Sequence, residues 1–280
     1  MNISKTISEG INILKENEIR NPQLDVEILL SKLIKKDKKY LILNPEEVVS
    51  SEKLDIFKNL IERRKKGEPV AYLINEKAFW KNVFYVDKDV LIPRPDTELL
   101  IEKILKIYSN KSQLQILDIG TGSGCIILSL LKERKKDYGT GIDISKKSIN
   151  VSKINAKLLN LSNRTKFFHS SIDNFNIGKY DLIVSNPPYI ELLNLKYLEK
   201  DVVNFEPKLA LNGGLDGFSK IKTVISKASS LLKKKGKLIL EIGFNQKDKV
   251  KEMLKKKGFY VNHTFQDHGN NDRCIISTKI

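Results

Sequence analysis

The sequence predicts an α/β protein: a seven-stranded, mainly parallel sheet, preceded by a small helical bundle and a linking β-hairpin. Three observations predict it. From residue 94 onward, apolar strand-like runs alternate with helical patterns, as in a parallel sheet covered by helices on both faces. A glycine string, Gly120-Thr121-Gly122-Ser123-Gly124, stands between an apolar strand and an apolar helix. The last two strand candidates have no helix between them, as a terminal hairpin requires.

Residues 1–75 read as helical. Ile3, Ile7, Ile11 and Leu14 recur at helical spacing. Asn21-Pro22 is a cap followed by a first-turn proline, with Leu24, Ile28, Leu29 and Leu33 on one face. Ser51 caps a further helix that turns Leu54, Phe57, Leu60 and Ile61 inward, and Gly67 ends it. No stretch alternates with a period of two. Residues 76–93 change character. Phe79, Trp80, Val83, Phe84, Val86, Val90 and Ile92, broken by Lys81-Asn82 and Asp87-Lys88-Asp89, predict the hairpin. The Phe79-Trp80 pair reads as interdomain packing rather than as a plate for substrate.

Residues 94–280 form the third segment. Strands are expected to begin near 114, 138, 165, 180, 237, 259 and 273. Helices are expected near 96–108, 123–135, 145–160, 217–235 and 246–257. Lys233-Lys234-Lys235 and Lys255-Lys256-Lys257 precede Gly236 and Gly258, where lysines suit the negative end of a helix dipole.

Composition bounds the function. A chain of 280 residues buries a sizeable core in one or two domains. No apolar run is long enough to span a membrane, and Met1-Asn2-Ile3-Ser4-Lys5 lacks the apolar core of a signal peptide. The two cysteines, Cys125 and Cys274, have no metal spacing and fit a reducing, cytoplasmic setting. His169, His263 and His268 are scattered, so no metal site is expected. The net charge of +16 suits an anionic partner. Only seven of the 50 basic residues are Arg, however, which fits a Lys-rich solvated surface better than a phosphate grip.

Asn186-Pro187-Pro188-Tyr189 carries the most specific chemistry. It follows the apolar strand Tyr180-Asp181-Leu182-Ile183-Val184-Ser185. The Asn offers a side-chain carbonyl, the prolines stiffen the loop and leave bare backbone carbonyls, and the Tyr offers a flat face. Such a loop suits a planar group bearing an NH2, either an amide or a nucleobase. Gln115-Ile116-Leu117-Asp118-Ile119 runs into the glycine string, where the backbone approaches a ligand closely. Asp143 ends the next strand, about 20 residues on, where an acid grips ribose hydroxyls. NAD-binding folds share the strand, turn and helix with S-adenosylmethionine enzymes. With that methyl donor the site is an amino-group methyltransferase: Gly120, Thr121, Gly122, Ser123, Gly124, Asp143 and Asn186 are candidate donor contacts. Asn186, Pro187, Pro188 and Tyr189 are candidate acceptor contacts, with Asn186, Pro187 and Tyr189 catalytic.

The chain resembles the glutamine-N5 methyltransferases of peptide chain release factors, the HemK/PrmC family. Besides the motifs above, the resemblance rests on Arg63-Arg64-Lys65-Lys66-Gly67-Glu68-Pro69-Val70-Ala71-Tyr72-Leu73, on Phe79-Trp80 and on Leu91-Ile92-Pro93-Arg94-Pro95-Asp96-Thr97-Glu98. Further on it rests on Phe205-Glu206-Pro207, Leu240-Glu241-Ile242-Gly243 and Asp267-His268-Gly269-Asn270-Asn271-Asp272-Arg273. It implies a Rossmann-like methyltransferase domain (94–280), an N-terminal substrate-docking bundle (1–75) and a hairpin linker (76–93). It also implies S-adenosylmethionine as donor, S-adenosylhomocysteine as product, and a release factor as protein substrate of a monomeric enzyme. No stable nucleic-acid complex and no membrane association are expected. Arg94 and Glu98 border the pocket in the family, although Asp96 or Thr97 also suits a helix cap. One stretch departs from the pattern: His169-Ser170-Ser171-Ile172 replaces the acidic residue that borders the adenine. Adenine-N6 methylation of DNA or RNA shares Asn-Pro-Pro-Tyr and stays open at this point, as does a non-catalytic donor-binding protein.

Overall fold

A computed structural model describes residues 1–280. The chain divides into two compact units. The first comprises Met1–Glu76 together with Glu199–Phe205; the second comprises Lys77–Leu198 and Glu206–Ile280.

The first unit is helical. Its elements are α1 (Ile3–Glu16), α2 (Pro22–Ile34), α3 (Lys38–Leu43), α4 (Ser51–Lys65) and α5 (Val70–Ile74). Ile3 and Leu14 of α1 are buried with Phe57 and Ile61 of α4, while Ile7 and Ile11 pack at the edge. Two local expectations are corrected. The cap position of α4 is Ser50, and Ser51 is its first helical residue. In α2 the buried face is Val26, Leu29 and Leu30, whereas Leu24 is half exposed. The cause is Asp25, whose carboxylate accepts from Arg64 at 2.7 Å between two largely buried side chains. That pair fixes the rotation of α2 against α4. Tyr72 is buried, 4% exposed.

A hairpin, β1 (Glu76–Phe79) and β2 (Asn82–Tyr85), follows, and all of it but Glu76 belongs to the second unit. Phe79 and Phe84 meet edge to face and join the core beneath α6 (Glu98–Ile107). Phe79 therefore packs within the second unit, not as interdomain filler. Trp80 turns with φ of +54°, and its ring N–H donates to Glu133 at 2.9 Å.

The sheet contains β3 (Gln115–Ile119), β4 (Tyr138–Asp143), β5 (Thr165–His169), β6 (Tyr180–Ser185), β7 (Leu232–Glu241), β8 (Phe259–Gln266) and β9 (Asp272–Lys279). Their order is β5-β4-β3-β6-β7-β9-β8. Every pairing from β5 to β7 is parallel, and β9 lies antiparallel between β7 and β8. The expected terminal hairpin is present. Between the strands along the chain lie α7 (Cys125–Glu133), α8 (Lys146–Leu158), α9 (Lys200–Phe205), which belongs to the first unit, α10 (Lys208–Leu211), α11 (Ser219–Leu231) and α12 (Lys247–Lys256). Short 3-10 turns occupy Pro95–Thr97 and Leu192–Tyr197.

Both sheet faces are buried. Ile116, Leu182, Val184, Ile239 and Ile276 face one core, and Leu117, Ile183, Leu238, Leu240 and Ile275 face the other. The side chains alternate with the period of two that a pleated strand imposes. Each such Leu, Ile or Val contributes about 1.5–3 kcal/mol of burial.

The lysine runs divide. Lys255 and Lys256 do end α12, with Gly258 at φ of +77°. Lys233-Lys234-Lys235 do not end a helix. α11 stops at Leu231, and these lysines lie in the first half of β7, which begins at 232 rather than 237. Leu231 and Leu232 are both buried, so the chain turns there to bury them, and Lys233 pairs with Asp181 at 2.8 Å.

Candidate active site

The register brings the predicted residues to one level. Ile119 of β3 pairs with Ile142 of β4 on one side and with Ser185 of β6 on the other. Gly120, Asp143 and Asn186 each follow directly, so they project from three adjacent strand ends, neighbours being about 4.8 Å apart. β3 is also where the strand order reverses: β4 and β5 lie to one side, β6 and β7 to the other. Ligands of such sheets bind in the crevice at that point. The Ser185 hydroxyl donates to the Ile119 carbonyl at 2.7 Å and ties the two central strand ends together.

The glycine turn is held from behind. Gly120 and Gly122 have φ of +74° and +55°, and a Cβ on either would meet nothing within 4 Å. The turn therefore borders open space, and glycine is needed there for backbone angle rather than for room. Ser152 donates to the Gly122 carbonyl at 2.7 Å, and Asn155 Nδ2 donates to the Ser123 carbonyl at 2.9 Å. Both residues are buried on α8. The Gly122 N–H donates to Asp143 Oδ2 at 2.9 Å, so the predicted acid and the predicted turn are in contact. Gly139 and Gly141 of β4 matter for a different reason. A Cβ at Gly141 would lie 2.6 Å from the Phe167 ring, and one at Gly139 would lie 2.7 Å from Ile127.

Three carboxylates stand at this end of the sheet, Asp118 and Glu241 buried and Asp143 partly buried. Asp118 is fully buried; Oδ2 accepts from the Thr121 hydroxyl at 2.8 Å, and Oδ1 has no partner. Burial raises its pKa to about 7. Burial also raises the pKa of Asp143, against the backbone N–H groups of Ser145 and Gly122 that favour its charged form. Glu241, at the end of β7, is the third, raised by burial to about 7.

Glu241 belongs to a connected set. Its Oε2 accepts from the Thr97 hydroxyl at 2.7 Å, and its Oε1 accepts from the Tyr189 hydroxyl at 3.3 Å. Asn186 Nδ2 donates to Thr97 Oγ1 at 3.1 Å. Arg273 donates to the Tyr189 hydroxyl at 3.3 Å and to Asp267 at 3.0 Å. Asn186 Oδ1 and the Pro187 carbonyl accept from no group of the chain. The ring of Tyr189 packs against the core at the C-terminal side of the sheet, and its hydroxyl is engaged, so this residue braces the loop.

The Leu91–Glu98 stretch splits in the same way. Neither Asp96 nor Thr97 caps a helix with its side chain. Glu98 accepts from the Trp80 N–H at 2.8 Å, and Arg94 pairs with the buried Glu206. Sequence reasoning missed Thr97, Glu241, Ser152 and Asn155 as parts of the site. Glu241 carried a usable signal: an acid inside the apolar run Leu238–Ile242, which a strand buries only with a partner. At the edge strand, the Ser170 N–H donates to the Asp143 carbonyl at 3.0 Å, and the Ser170 hydroxyl donates to the Ser171 carbonyl.

Comparison with known proteins defines the class. Residues 110–276 match a family described as a methyltransferase domain, and residues 5–74 match one described as a PrmC N-terminal domain. A methyltransferase from Pyrococcus furiosus shares the fold with a TM-score of 0.53 at 21% identity, covering 79% of this chain and 97% of that one. A ribosomal protein L11 methylase from Lactobacillus delbrueckii subsp. bulgaricus gives 0.50 at 22% identity, covering 67% and 81%. The fold and site thus define a Rossmann-like methyltransferase.

The particular family follows from closer relatives. A release factor glutamine methyltransferase of Buchnera aphidicola subsp. Schizaphis graminum is 41% identical over 279 residues, covering 100% of both chains. One from Caulobacter vibrioides is 33% identical over 267 residues, covering 95% and 92%. A bifunctional methyltransferase of Rickettsia bellii is 37% identical, but this chain spans only 54% of its length. The chain belongs to the release factor glutamine methyltransferase family.

Proposed function

We propose that this chain transfers a methyl group from S-adenosylmethionine to the side-chain amide nitrogen of the glutamine in the Gly-Gly-Gln loop of peptide chain release factors. The observation that carries the reading is the Asn186-Pro187 pair: two oxygens without internal donors, one residue beyond the sheet, at the strand end next to the glycine turn. Family membership supports the protein acceptor over the nucleobase, since the full-length relatives are named for it.

The residues present fit the donor. It carries a positively charged sulfur and a zwitterionic amino-acid end, and this end of the sheet holds two buried carboxylates, Asp118 and Glu241, and the partly buried Asp143. Asp118 Oδ1 is buried without a partner, and the turn above it is open at Gly120 and Gly122. Gly120–Gly124 would hold the amino-acid end, Asp143 the ribose, and the segment at Ser170-Ser171 would border the base. When bound, S-adenosylmethionine supplies an electrophilic methyl on sulfur.

The chain's own residues prepare the nucleophile. An amide nitrogen is weak because its lone pair is delocalised into the carbonyl. Asn186 Oδ1 and the Pro187 carbonyl each accept one hydrogen of the substrate NH2. That grip leaves the lone pair free to point along the transfer axis. It also favours the pyramidal, positively charged nitrogen of the transition state over the planar ground state. Orientation of this kind contributes roughly 7–11 kcal/mol. Tyr189 holds the loop in place from Glu241 and Arg273. The proton leaves the methylated nitrogen to water, with no strong base required. We assign docking of the protein acceptor to the helical unit, which exposes Ile42, Leu43 and Val48.

Mass spectrometry tests the reading. Release factor incubated with the protein and the donor gains one methyl on the glutamine of its Gly-Gly-Gln peptide. Asn186→Ala lowers the rate by about 10²–10³, as for other lost transition-state partners. An unmodified peptide, or an Asn186→Ala enzyme at the normal rate, refutes the scheme.

A further inference from the structure

We propose that Thr97 and Glu241 are positioning residues: they decide which end of the Asn186 carboxamide faces the substrate. The inference rests on the Asn186 grip described above and deepens it.

An asparagine side chain has two nearly isosteric ends with opposite hydrogen-bonding character. If the oxygen faces the substrate amide, it accepts a hydrogen. If the NH2 faces it, two donors meet and the grip is lost. Nothing in the shape of the carboxamide selects the useful end. The selection comes from the chain of bonds behind it. Glu241, 1% exposed, has only lone pairs to offer as a carboxylate. The single hydrogen of the Thr97 hydroxyl therefore goes to Glu241 Oε2, 2.7 Å away. The Thr97 oxygen is left as an acceptor, and the group facing it at 3.1 Å must be the Asn186 NH2. Asn186 Oδ1 is then directed away from Thr97, free for the acceptor. Thr97 is itself 3% exposed, so bulk water does not substitute in this relay.

The relay has a direction, and a proton on Glu241 reverses it. A protonated Glu241 donates to Thr97, Thr97 donates to Asn186, and the carboxamide turns over to present its oxygen inward. The only change is uptake of one proton by Glu241; no bond to carbon forms or breaks. The groups facing Glu241 are known. Tyr189 from the loop donates to it, and the Arg273 guanidinium on β9 favours its charge. Asp96 beside Thr97 opposes that charge, and Arg273 is held in turn by Asp267 and Asp96. Cys125 on α7 and Cys274 on β9 also sense its field, and burial holds both thiols protonated. Burial is the largest influence on Glu241 and lifts its pKa to about 7. The sign follows: the carboxylate form, which orients Asn186 for catalysis, is lost as pH falls through that value.

Four variants of the full chain test this with release factor as methyl acceptor. Thr97→Val removes the hydroxyl at constant shape and lowers kcat by about 10–100-fold, since small misplacements of a reacting group cost up to ~10²-fold. Donor affinity by calorimetry stays near normal, while the melting temperature falls because Glu241 Oε2 loses its donor and Asn186 Nδ2 its acceptor. Thr97→Ser restores kcat. Glu241→Gln carries no charge to fix the direction, so it lowers kcat and flattens the acid limb of the kcat profile. A second readout needs neither donor nor acceptor. The side-chain NH2 signal of Asn186 in a nitrogen-15 spectrum, assigned by its loss in Asn186→Ala, shifts with pH around 7 in the normal protein and not in Glu241→Gln. Normal kcat in both Thr97→Val and Glu241→Gln, with an Asn186 signal that ignores pH, overturns the inference while Asn186→Ala remains slowed by about 10²–10³. If Asn186→Ala is itself fully active, the underlying grip has failed instead. Should Thr97→Val fold poorly, the isosteric Glu241→Gln and the Asn186 signal decide the matter.

Discussion

Asn155 supports the heaviest local load of any side chain around the donor turn, and replacing it by Ala has a calculable effect. The side chain is fully buried on α8. Its Oδ1 accepts from the Tyr85 N–H at 2.7 Å, and its Nδ2 donates to the carbonyls of Tyr85 and Ser123, each at 2.9 Å. One carboxamide thus clamps the β2 strand and the glycine turn together. Asn155→Ala strands three backbone groups, the buried Ser123 carbonyl and the part-buried N–H and carbonyl of Tyr85, each worth up to about 1–3 kcal/mol when left unpaired. A water in the vacated space recovers one or two of them, because the site is polar and offers several partners. The net loss is then about 3 kcal/mol. Trp80 is the only tryptophan and belongs to the same unit, so its fluorescence reports the relevant unfolding. With a urea slope of about 2–3 kcal/mol per molar for a unit this large, the midpoint falls by roughly 1 M. Asn155→Asp should do no better, since it places a charge against two carbonyl oxygens. The exposed Lys153→Ala on the same helix serves as control and moves the midpoint negligibly. A shift for Asn155→Ala below about 0.3 M, equivalent to under 1 kcal/mol by the same slope, refutes the clamp.

Three further outcomes are expected. Gly141→Ala forces a methyl to 2.6 Å from Phe167 and 2.9 Å from Thr121 Oγ1, costing about 1–3 kcal/mol; a thermal melt should show the loss, and adding Phe167→Leu should recover part of it. Asp143→Asn accepts from only one of the two N–H groups now bound, Gly122 and Ser145, and surrenders its charge. Its affinity for S-adenosylmethionine should fall about 10–100-fold, the equivalent of one charge-assisted hydrogen bond, and an unchanged calorimetric Kd rejects that role. Arg64→Ala leaves Asp25 largely buried and unpaired, destabilising the helical unit by about 3 kcal/mol. Hydrogen exchange should accelerate in α2 and α4 and stay slow in β3 and β6; uniform exchange would contradict an independent helical unit.

The parts of the fold readable along the chain are those set by local pattern. The strand starts expected near 138, 165, 180 and 259 coincide with β4, β5, β6 and β8, and of these β6, buried along nearly its whole length, is the plainest apolar run. Errors arise where two local rules compete. Lys233-Lys234-Lys235 suits a helix end by charge, but burial of Leu231 and Leu232 ends α11 first. Leu24 fits a helical stripe, but the Asp25–Arg64 pair turns it outward. The short helices at 200–205 and 208–211 carry no periodicity long enough to read.

By itself the sequence determined the chemical vocabulary of the site: an acceptor loop at 186–189, a glycine turn at 120–124 and an acid at 143, each at a strand end. Adjacent residues on a strand suffice to specify such features, because backbone angles and side-chain types are local properties. Only the tertiary structure decided how Asn186 is aimed. Thr97, Asn186, Glu241 and Arg273 lie far apart along the chain, and a hydrogen bond between Thr97 and Glu241 spans 144 positions. The direction of a hydrogen bond depends on which donor and acceptor the packed sheet brings within 3 Å or so of one another. No periodicity in the chain encodes that meeting.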